Sequence, residues 1–319
     1  MIKVQTSNKV KFIFGNKAIK LAIDKFDNFI NIEGVDYFLD YLDKNIKGSK
    51  GGNSNVFLLR DPEEDEFIKS EDLVIKICKF SNNKHKSKFH ESRRRRFARE
   101  IIAHRNAIRK KLSGTIKYFE NGVIDIGGFE FSFFTMEKAG SDLTSYLDDN
   151  SLELQQKLVL CFEIVESFKE LHSIELYHRD IKHDNILIRN GKCKVGDLGL
   201  YKYKDEDSVD EIGERIGAFG WESPETMNKS LTESKENTSF SFDCEIDYKS
   251  DIFQLGKLFW YIMQGNLPIG QISKDDFLIK DDELFNVLKN TLSHNKERRP
   301  DVFDLDNLLQ PIYKKHNVI

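Results

Sequence analysis

His178 to Asn185 read HRDIKHDN, and Asp197 follows twelve residues after Asn185 in the glycine-bounded run KVGDLG, 194 to 199. Transfer of a phosphoryl group asks little covalent work of a protein. It needs a carboxylate to orient the attacking hydroxyl, and a second carboxylate with an amide to hold magnesium on the phosphates. Asp180, Asp197 and Asn185 supply that set, and Lys182 adds a cation able to neutralise charge building on the transferred group. A polar turn between a helix and the run ILIR would account for HRDIKHDN, but not for its spacing from Asp197.

Two upstream features bear on the same chemistry. In IKGSKGGNSNVF, Ile46 to Phe57, small residues precede a β run. Glycines there admit backbone amides to phosphate oxygens because no Cβ stands in the way, although such clusters by themselves are more often hairpin turns. Twenty residues after Val56, inside LVIKICKF, stands Lys76. Val74 and Cys78 share its face by the two-residue period, so its ammonium is directed into a mostly apolar surface unless an anion meets it. Glu100, in RRFAREII, can supply the carboxylate that fixes Lys76 against phosphates. Singly, the lysine would read as a strand-edge residue snorkelling to water and the glutamate as a solvated helix residue.

These residues need elements that bring them together. Up to residue 137 the chain is rich in short alternating or aromatic runs, VKFIFG (10–15), NVFLLR (55–60), LVIKICKF (73–80) and FEFSFFTM (129–136), which read as strands. One helical stretch interrupts them, from Glu91 to Leu112, opening with Arg93 to Arg96. Beyond residue 141 the period changes: Leu154, Leu158, Cys161, Ile164, Val165 and Phe168 lie three or four apart, the stripe of a core-facing helix. Similar stripes follow at 251–263 and 283–292. The expectation is an α+β arrangement, with a hinge at MEKAGSD (136–142) and a ligand cleft between lobes. Two polar stretches, 61–71 and 228–248, read as surface insertions.

Composition removes other classes of function. With 319 residues, 39% of them hydrophobic, the chain can bury a sizeable core. A net charge of -4, from 49 basic and 53 acidic residues, gives no reason to expect nucleic acid or a membrane as partner. No apolar run approaches the span of about 18 residues that a bilayer requires, and MIKVQTSNKVK lacks a signal peptide's apolar core, so a cytoplasmic chain is expected. Cys78, Cys161, Cys193 and Cys244 lie far apart without C-x-x-C spacing, which argues for reduced thiols over a zinc site or a disulfide framework.

Taken in order, the motifs resemble those of a eukaryotic-type protein kinase of the serine/threonine kinase-like superfamily, over about residues 40 to 310. The glycine-rich loop, Lys76, Glu100, the hinge, HRD-x-K-x-x-N, DLG, SPE, the helical DIFQLG at 251–256 and Arg299-Pro300 all occur in family order. The resemblance implies a bilobal α+β fold with an ATP cleft between a β-rich N-lobe with one main helix, residues 41–137, and an α-helical C-lobe, residues 138–319. Residues 1–40 would be an N-terminal extension packed on the small lobe. It further implies that Asp180 is the catalytic base, that Lys182 contacts the γ-phosphate, and that Asn185 and Asp197 are the magnesium ligands. Lys76 would pair with Glu100; Gly51, Gly52 and Ser54 would line the phosphates; and Val56, Val74 and Leu187 would sandwich the adenine. Met136 would be the gatekeeper, the backbone of Glu137 and Ala139 would bind the adenine edge, and Asp142 would lie near the ribose. Glu225 would pair with Arg299, and Asp251 would anchor the HRD loop from below. ATP and magnesium are the expected cofactors, and a protein is the expected substrate.

The departures from the pattern are informative. Ser49, Gly51 and Ser54 stand where the family usually has three glycines, and Leu198 replaces the commoner phenylalanine of the metal motif. In RIGAFGWESPE, 215–225, Ala218 takes the place of the threonine that serine/threonine kinases present to the catalytic aspartate and lysine, while Lys182 still favours a serine or threonine acceptor. Arg179 matches the arginine that clamps a phosphorylated residue in many such kinases, and the usual phosphosite falls on Glu214, whose carboxylate is already negative. With the acidic run DEDSVDE (205–211), and with Arg96 and Lys202 as further cations, Glu214 is a candidate substitute for a phosphate; solvated surface charge is the alternative. Two rival functions are a pseudokinase scaffold, which the intact set Lys76, Glu100, Asp180, Asn185 and Asp197 opposes, and a kinase-like small-molecule phosphotransferase, which SPE, Arg299 and Lys182 oppose.

Overall fold

A computed structural model describes residues 11–21, 28–40, 42, 52–60, 73–84, 86–206, 210–233 and 242–319. Gly51 and most of the small-residue run before Phe57 lie outside these residues, as do 61–71, Ser208 and the middle of 228–248. The chain divides into two compact units, Met1–Lys110 with Lys117–Lys138, and Lys111–Ile116 with Ala139–Ile319. One carries the sheet and one helix, the other most of the helices, so the fold is α+β.

The first unit holds a hairpin of β1 (Phe12–Phe14) and β2 (Lys17–Ile19), together with an antiparallel sheet. The sheet strands are β3 (Phe29–Ile32), β4 (Val35–Asp40), β5 (Ser54–Arg60), β6 (Leu73–Cys78), β7 (Tyr118–Ile126) and β8 (Phe129–Glu137), in the order β3-β4-β5-β6-β8-β7. β6 sits between β5 and β8, which is why LVIKIC is apolar on both of its faces apart from Lys76. Its Ile75 and Ile77 pack with Phe12, Phe57, Phe131 and Phe133. Cys78, on the opposite side, packs with Phe134 and with Phe97 and Ile101 of α1 (Lys88–Arg109). Strands β3 and β4, from the N-terminal stretch, lengthen the sheet beyond β5 through pairs such as Leu39 with Leu59. α1 begins three residues earlier than its apolar spacing suggests, because the Ser87 hydroxyl accepts from His90 N–H and caps the first turn. It ends where Lys111 turns left-handed, at φ 57°.

The second unit contains β9 (Ser141–Asp142), α2 (Leu143–Asp149), α3 (Leu154–Ser173), β10 (Leu176–Tyr177), β11 (Ile186–Arg189), β12 (Lys192–Val195), β13 (Lys202–Tyr203), α4 (Pro224–Thr232), α5 (Tyr248–Gln264), α6 (Asp282–Thr291) and α7 (Val302–Lys315). β12, β11 and β9 form one small sheet, and β10 pairs with β13. The expected stripe of α3 is its buried face. α5 is buried on nearly every side from Ser250 to Met263, so polar groups on it must be satisfied inside the unit. Glu170 of α3 accepts from the backbone N–H groups of Ser113 and Gly114, which ties residues 111–116 to this unit. Cys78, Cys161 and Cys193 are buried free thiols, and no described helix is long and apolar enough to cross a membrane.

Candidate active site

The HRDIKHDN loop hangs from α5. Asp251, wholly buried, accepts from His178 N–H and Arg179 N–H at 2.7 Å each and from His172 Nε2 at 3.0 Å. Three residues along the same helix, Gln254 Oε1 accepts from Ile181 N–H at 2.9 Å. The loop's backbone is thus satisfied by side chains of a rigid element, which leaves its own side chains available for chemistry. His178 accepts from Asp180 N–H through Nδ1, so Nε2 carries the proton and donates to the Gly196 carbonyl at 3.1 Å. Backbone strain gathers here: Arg179 has φ 70° and Asp197 φ 46°, positions that non-glycine residues hold only when their surroundings impose them.

Asp180, 8% exposed, receives Lys182 Nζ and Asn185 Nδ2 on Oδ2, both at 3.0 Å. Its Oδ1 is buried and finds no partner among the described residues. Burial raises this carboxyl above its ordinary value; Lys182 opposes the rise and Asp197 adds to it. One oxygen is therefore committed and the other is poised to take a hydrogen bond or a proton. Asn185 Nδ2 also donates to the Asp180 carbonyl at 2.8 Å, so the amide oxygen is the end presented away from Asp180. Asp197 is exposed, and its Oδ1 accepts from Gly199 N–H. An amide oxygen and a carboxylate are hard donors, few in number, a set that suits magnesium, which keeps several waters and takes the rest of its shell from phosphates. Among the described residues, no cluster of three or more His, Cys, Asp or Glu could hold a metal.

In the first unit, Lys76 Nζ lies 2.6 Å from Glu100 Oε1, both residues being buried. The central strand β6 and α1 set this pair, and the ammonium is also 5.9 Å from the Phe134 ring. The register aligns Val56 with Lys76 and Phe134, and Val74 with Leu58 and Met136. Ser54 is buried opposite Cys78, while Gly52 is exposed. Glu137 N–H donates to the Lys117 carbonyl, and the Glu137 carboxylate accepts from Lys117 N–H. In the second unit, Asp142 caps α2 by accepting from Ser145 N–H and pairs in register with Leu187; Ala139 is half-buried.

Segment 210–225 is held by charge. Glu225 forms a two-pronged bond with Arg299, at 2.7 and 3.0 Å, and also accepts from the Ser250 hydroxyl. Burial pushes the Glu225 carboxyl up, but the Arg299 hydrogen bonds and charge, with Ser250, outweigh it and hold the group below its ordinary value. The carboxylate on Arg179 is Asp210, in a buried ion pair. Glu214, the residue expected there, accepts from Glu211 N–H within its own turn. The four-arginine run of α1 is divided: Arg96 is buried, Arg94 donates to the Ser81 carbonyl, Arg95 pairs with Glu91 at the surface, and Arg93 covers Phe89. Lys202 lies in β13, paired with Tyr177. Sequence reasoning named Asp210 only within the acidic run 205–211, and missed Glu222, Gln254 and Lys257. Lys257 did leave a signal, as the lone cation in LGKLFWYIM.

The family model for the protein kinase domain matches residues 49–315. The chain is 25% identical over 223 residues to a "Probable serine/threonine-protein kinase PknB" of Lactococcus lactis, covering 69% of this chain and 31% of that protein. It is 27% identical over 247 residues to "Serine/threonine-protein kinases PknA" of Corynebacterium glutamicum, covering 76% and 46%. An "Inactive serine/threonine-protein kinase/endoribonuclease IRE1-like" of Arabidopsis thaliana is 26% identical over 179 residues, covering 51% and 30%. The chain spans less than half the length of each of these relatives.

Proposed function

We infer, for a chain that belongs to the protein kinase family, that it transfers the γ-phosphate of ATP to serine or threonine hydroxyls of protein substrates, its own included. The observation that carries this reading is Asp180: a buried carboxylate with one oxygen bound by Lys182 and Asn185 and the other left without a partner among the described residues. In this reading Oδ1 accepts the hydrogen bond of the acceptor hydroxyl and aims its oxygen at phosphorus, and its raised basicity suits it to take the proton. Lys182 neutralises charge on the phosphoryl group in transit, and Lys76, held by Glu100, steadies the remaining phosphates. Asn185 and Asp197 would hold magnesium, which would offset the negative charge of the phosphates. Val56, Val74, Met136 and Leu187, with the backbone of Glu137 and Ala139, would take the adenine.

One of the relatives is named as inactive, so catalysis has to be tested directly. Asp180→Ala should lower phosphorylation of a serine/threonine peptide library from radiolabelled ATP by about a thousandfold or more. Equal signal from the wild type and the variant would defeat the enzyme reading and leave a nucleotide-binding scaffold.

A further inference from the structure

Three residues of α5 spaced three apart, Asp251, Gln254 and Lys257, lie along one stripe of the helix. The first two hold the HRDIKHDN loop. Lys257 reaches elsewhere. It is 7% exposed, and its Nζ donates to the Gly220 carbonyl at 2.7 Å. Burial lowers the pKa of this ammonium, which Glu222 partly counters. Nζ also lies 5.5 Å from the Phe253 ring, and desolvating an ammonium for these two contacts costs enough that an apolar side chain of similar volume would serve the core as well.

Gly220 is held on its other side as well. Its N–H donates to Glu222 at 2.7 Å, and Glu222, itself buried, is fixed by Arg215 Nε at 2.6 Å. Gly220 is the third residue of a turn closed by Trp221 N–H to the Ala218 carbonyl at 3.0 Å, and its φ of 83° is one that a side chain would strain. The turn lifts Phe219 into solvent at 82% exposure. Its near end abuts the reacting carboxylate: a Cβ placed on Gly217 would lie 3.6 Å from Asp180 Oδ1 and 3.3 Å from the Arg179 carbonyl. Between these points stands Ala218, which has no hydroxyl with which to tie the turn to Asp180 and Lys182.

We propose that Lys257 and Glu222 are positioning residues that hold Gly220 by its carbonyl and its N–H, in two successive peptide groups, and so set the turn 218–221, with Phe219, at a fixed distance from Asp180 for docking the acceptor polypeptide. The clamp does the work that a hydroxyl at 218 would otherwise do. A single helix then dictates both the catalytic loop and the surface that the substrate meets. This inference rests on the protein-kinase reading above.

The test is Lys257→Met in the full chain, with a serine/threonine peptide array and radiolabelled ATP as probes. The variant keeps the volume and removes the donor. Its unfolding free energy should fall by no more than the about 1 kcal/mol that one lost hydrogen bond costs, and its KM for ATP should stay within about twofold, while kcat/KM for the best wild-type peptide falls about tenfold or more through the peptide's KM. The amides of Gly220 and Trp221 should exchange faster with solvent. Adding Ala218→Thr should recover part of the peptide KM, which a lysine serving only the fold would not allow. An unchanged peptide KM, or a loss matched by a larger fall in unfolding free energy and a raised KM for ATP, overturns the clamp. A wild type that phosphorylates no peptide is a different failure: it defeats the kinase reading and takes the clamp down with it.

Discussion

Loop 178–181 and segment 210–225 lie in one unit and both depend on buried charge, but they are held in different ways. Asp251 and Gln254 hold the loop by its backbone N–H groups, so the loop's side chains are not used up in fixing it. The segment is held largely through side chains, by Asp210 on Arg179, Arg215 on Glu222 and Arg299 on Glu225. A backbone anchor constrains where the chain runs and is tied to one position of one helix. A side-chain pair asks only that opposite charges meet, and a carboxylate a few residues away can serve. The loop is therefore written in a fixed motif, whereas the segment admits several spellings.

The first way to break this contrast is to cut the backbone anchor. Asp251→Ala leaves two buried N–H groups and His172 Nε2 without their acceptor. At about 1–3 kcal/mol for each orphaned donor, the expected loss is about 4 kcal/mol or more by urea denaturation. Loss of less than about 1 kcal/mol would show that the loop needs no such anchor. Next in size is Glu225→Gln, which takes the charge out of a buried pair and should cost about 3 kcal/mol. Here pH gives a second handle. Folding lowers this carboxyl below its ordinary 4.5, so its contribution is complete above that value and is lost as pH falls through the lower folded value. In the wild type the unfolding free energy should decline across that acid window, and in Glu225→Gln it should decline less steeply there. An acid limb of the same slope in both proteins would mean that Glu225 adds nothing to it.

The same contrast explains what was legible in the sequence. Lys76 with Glu100, Asp251 beneath the loop and Glu225 with Arg299 each rest on a residue type at a fixed place in an element, and each pair is in contact. Strands β5, β6 and β8 were visible because apolar alternation is local. Segment 210–225 was legible only in part. Counting back from Glu225 points to Glu214, with the acidic run 205–211 only as its helper and solvated charge as the alternative, because spacing along a loop does not reveal which carboxylate folds inward. Gln254 and Lys257 were passed over for a related reason: on a helix buried on all sides, periodicity does not distinguish a polar residue aimed at a loop from one tolerated in the core.

The smallest and sharpest expected effect separates those two carboxylates. Arg179 is 3% exposed, and it faces Asp210, whose side chain is equally shielded. Asp210→Asn leaves that guanidinium buried without its counter-charge, at an expected cost of about 2 kcal/mol and a loss of peptide phosphorylation of about tenfold, since Arg179 adjoins Asp180 in the loop. Glu214→Gln keeps an oxygen that can accept from Glu211 N–H, and it leaves Arg179 on Asp210. It should cost less than Asp210→Asn in both stability and peptide phosphorylation, because the buried guanidinium keeps its counter-charge. The two variants remove one negative charge each, from positions four residues apart, so general effects of net charge cancel between them. If Glu214→Gln proves the more damaging, the charge that matters to the loop is not the one on Arg179. If both are damaging and phosphatase treatment of the wild type reproduces the loss, the segment answers to an added phosphate and the Asp210 pair is only its resting contact.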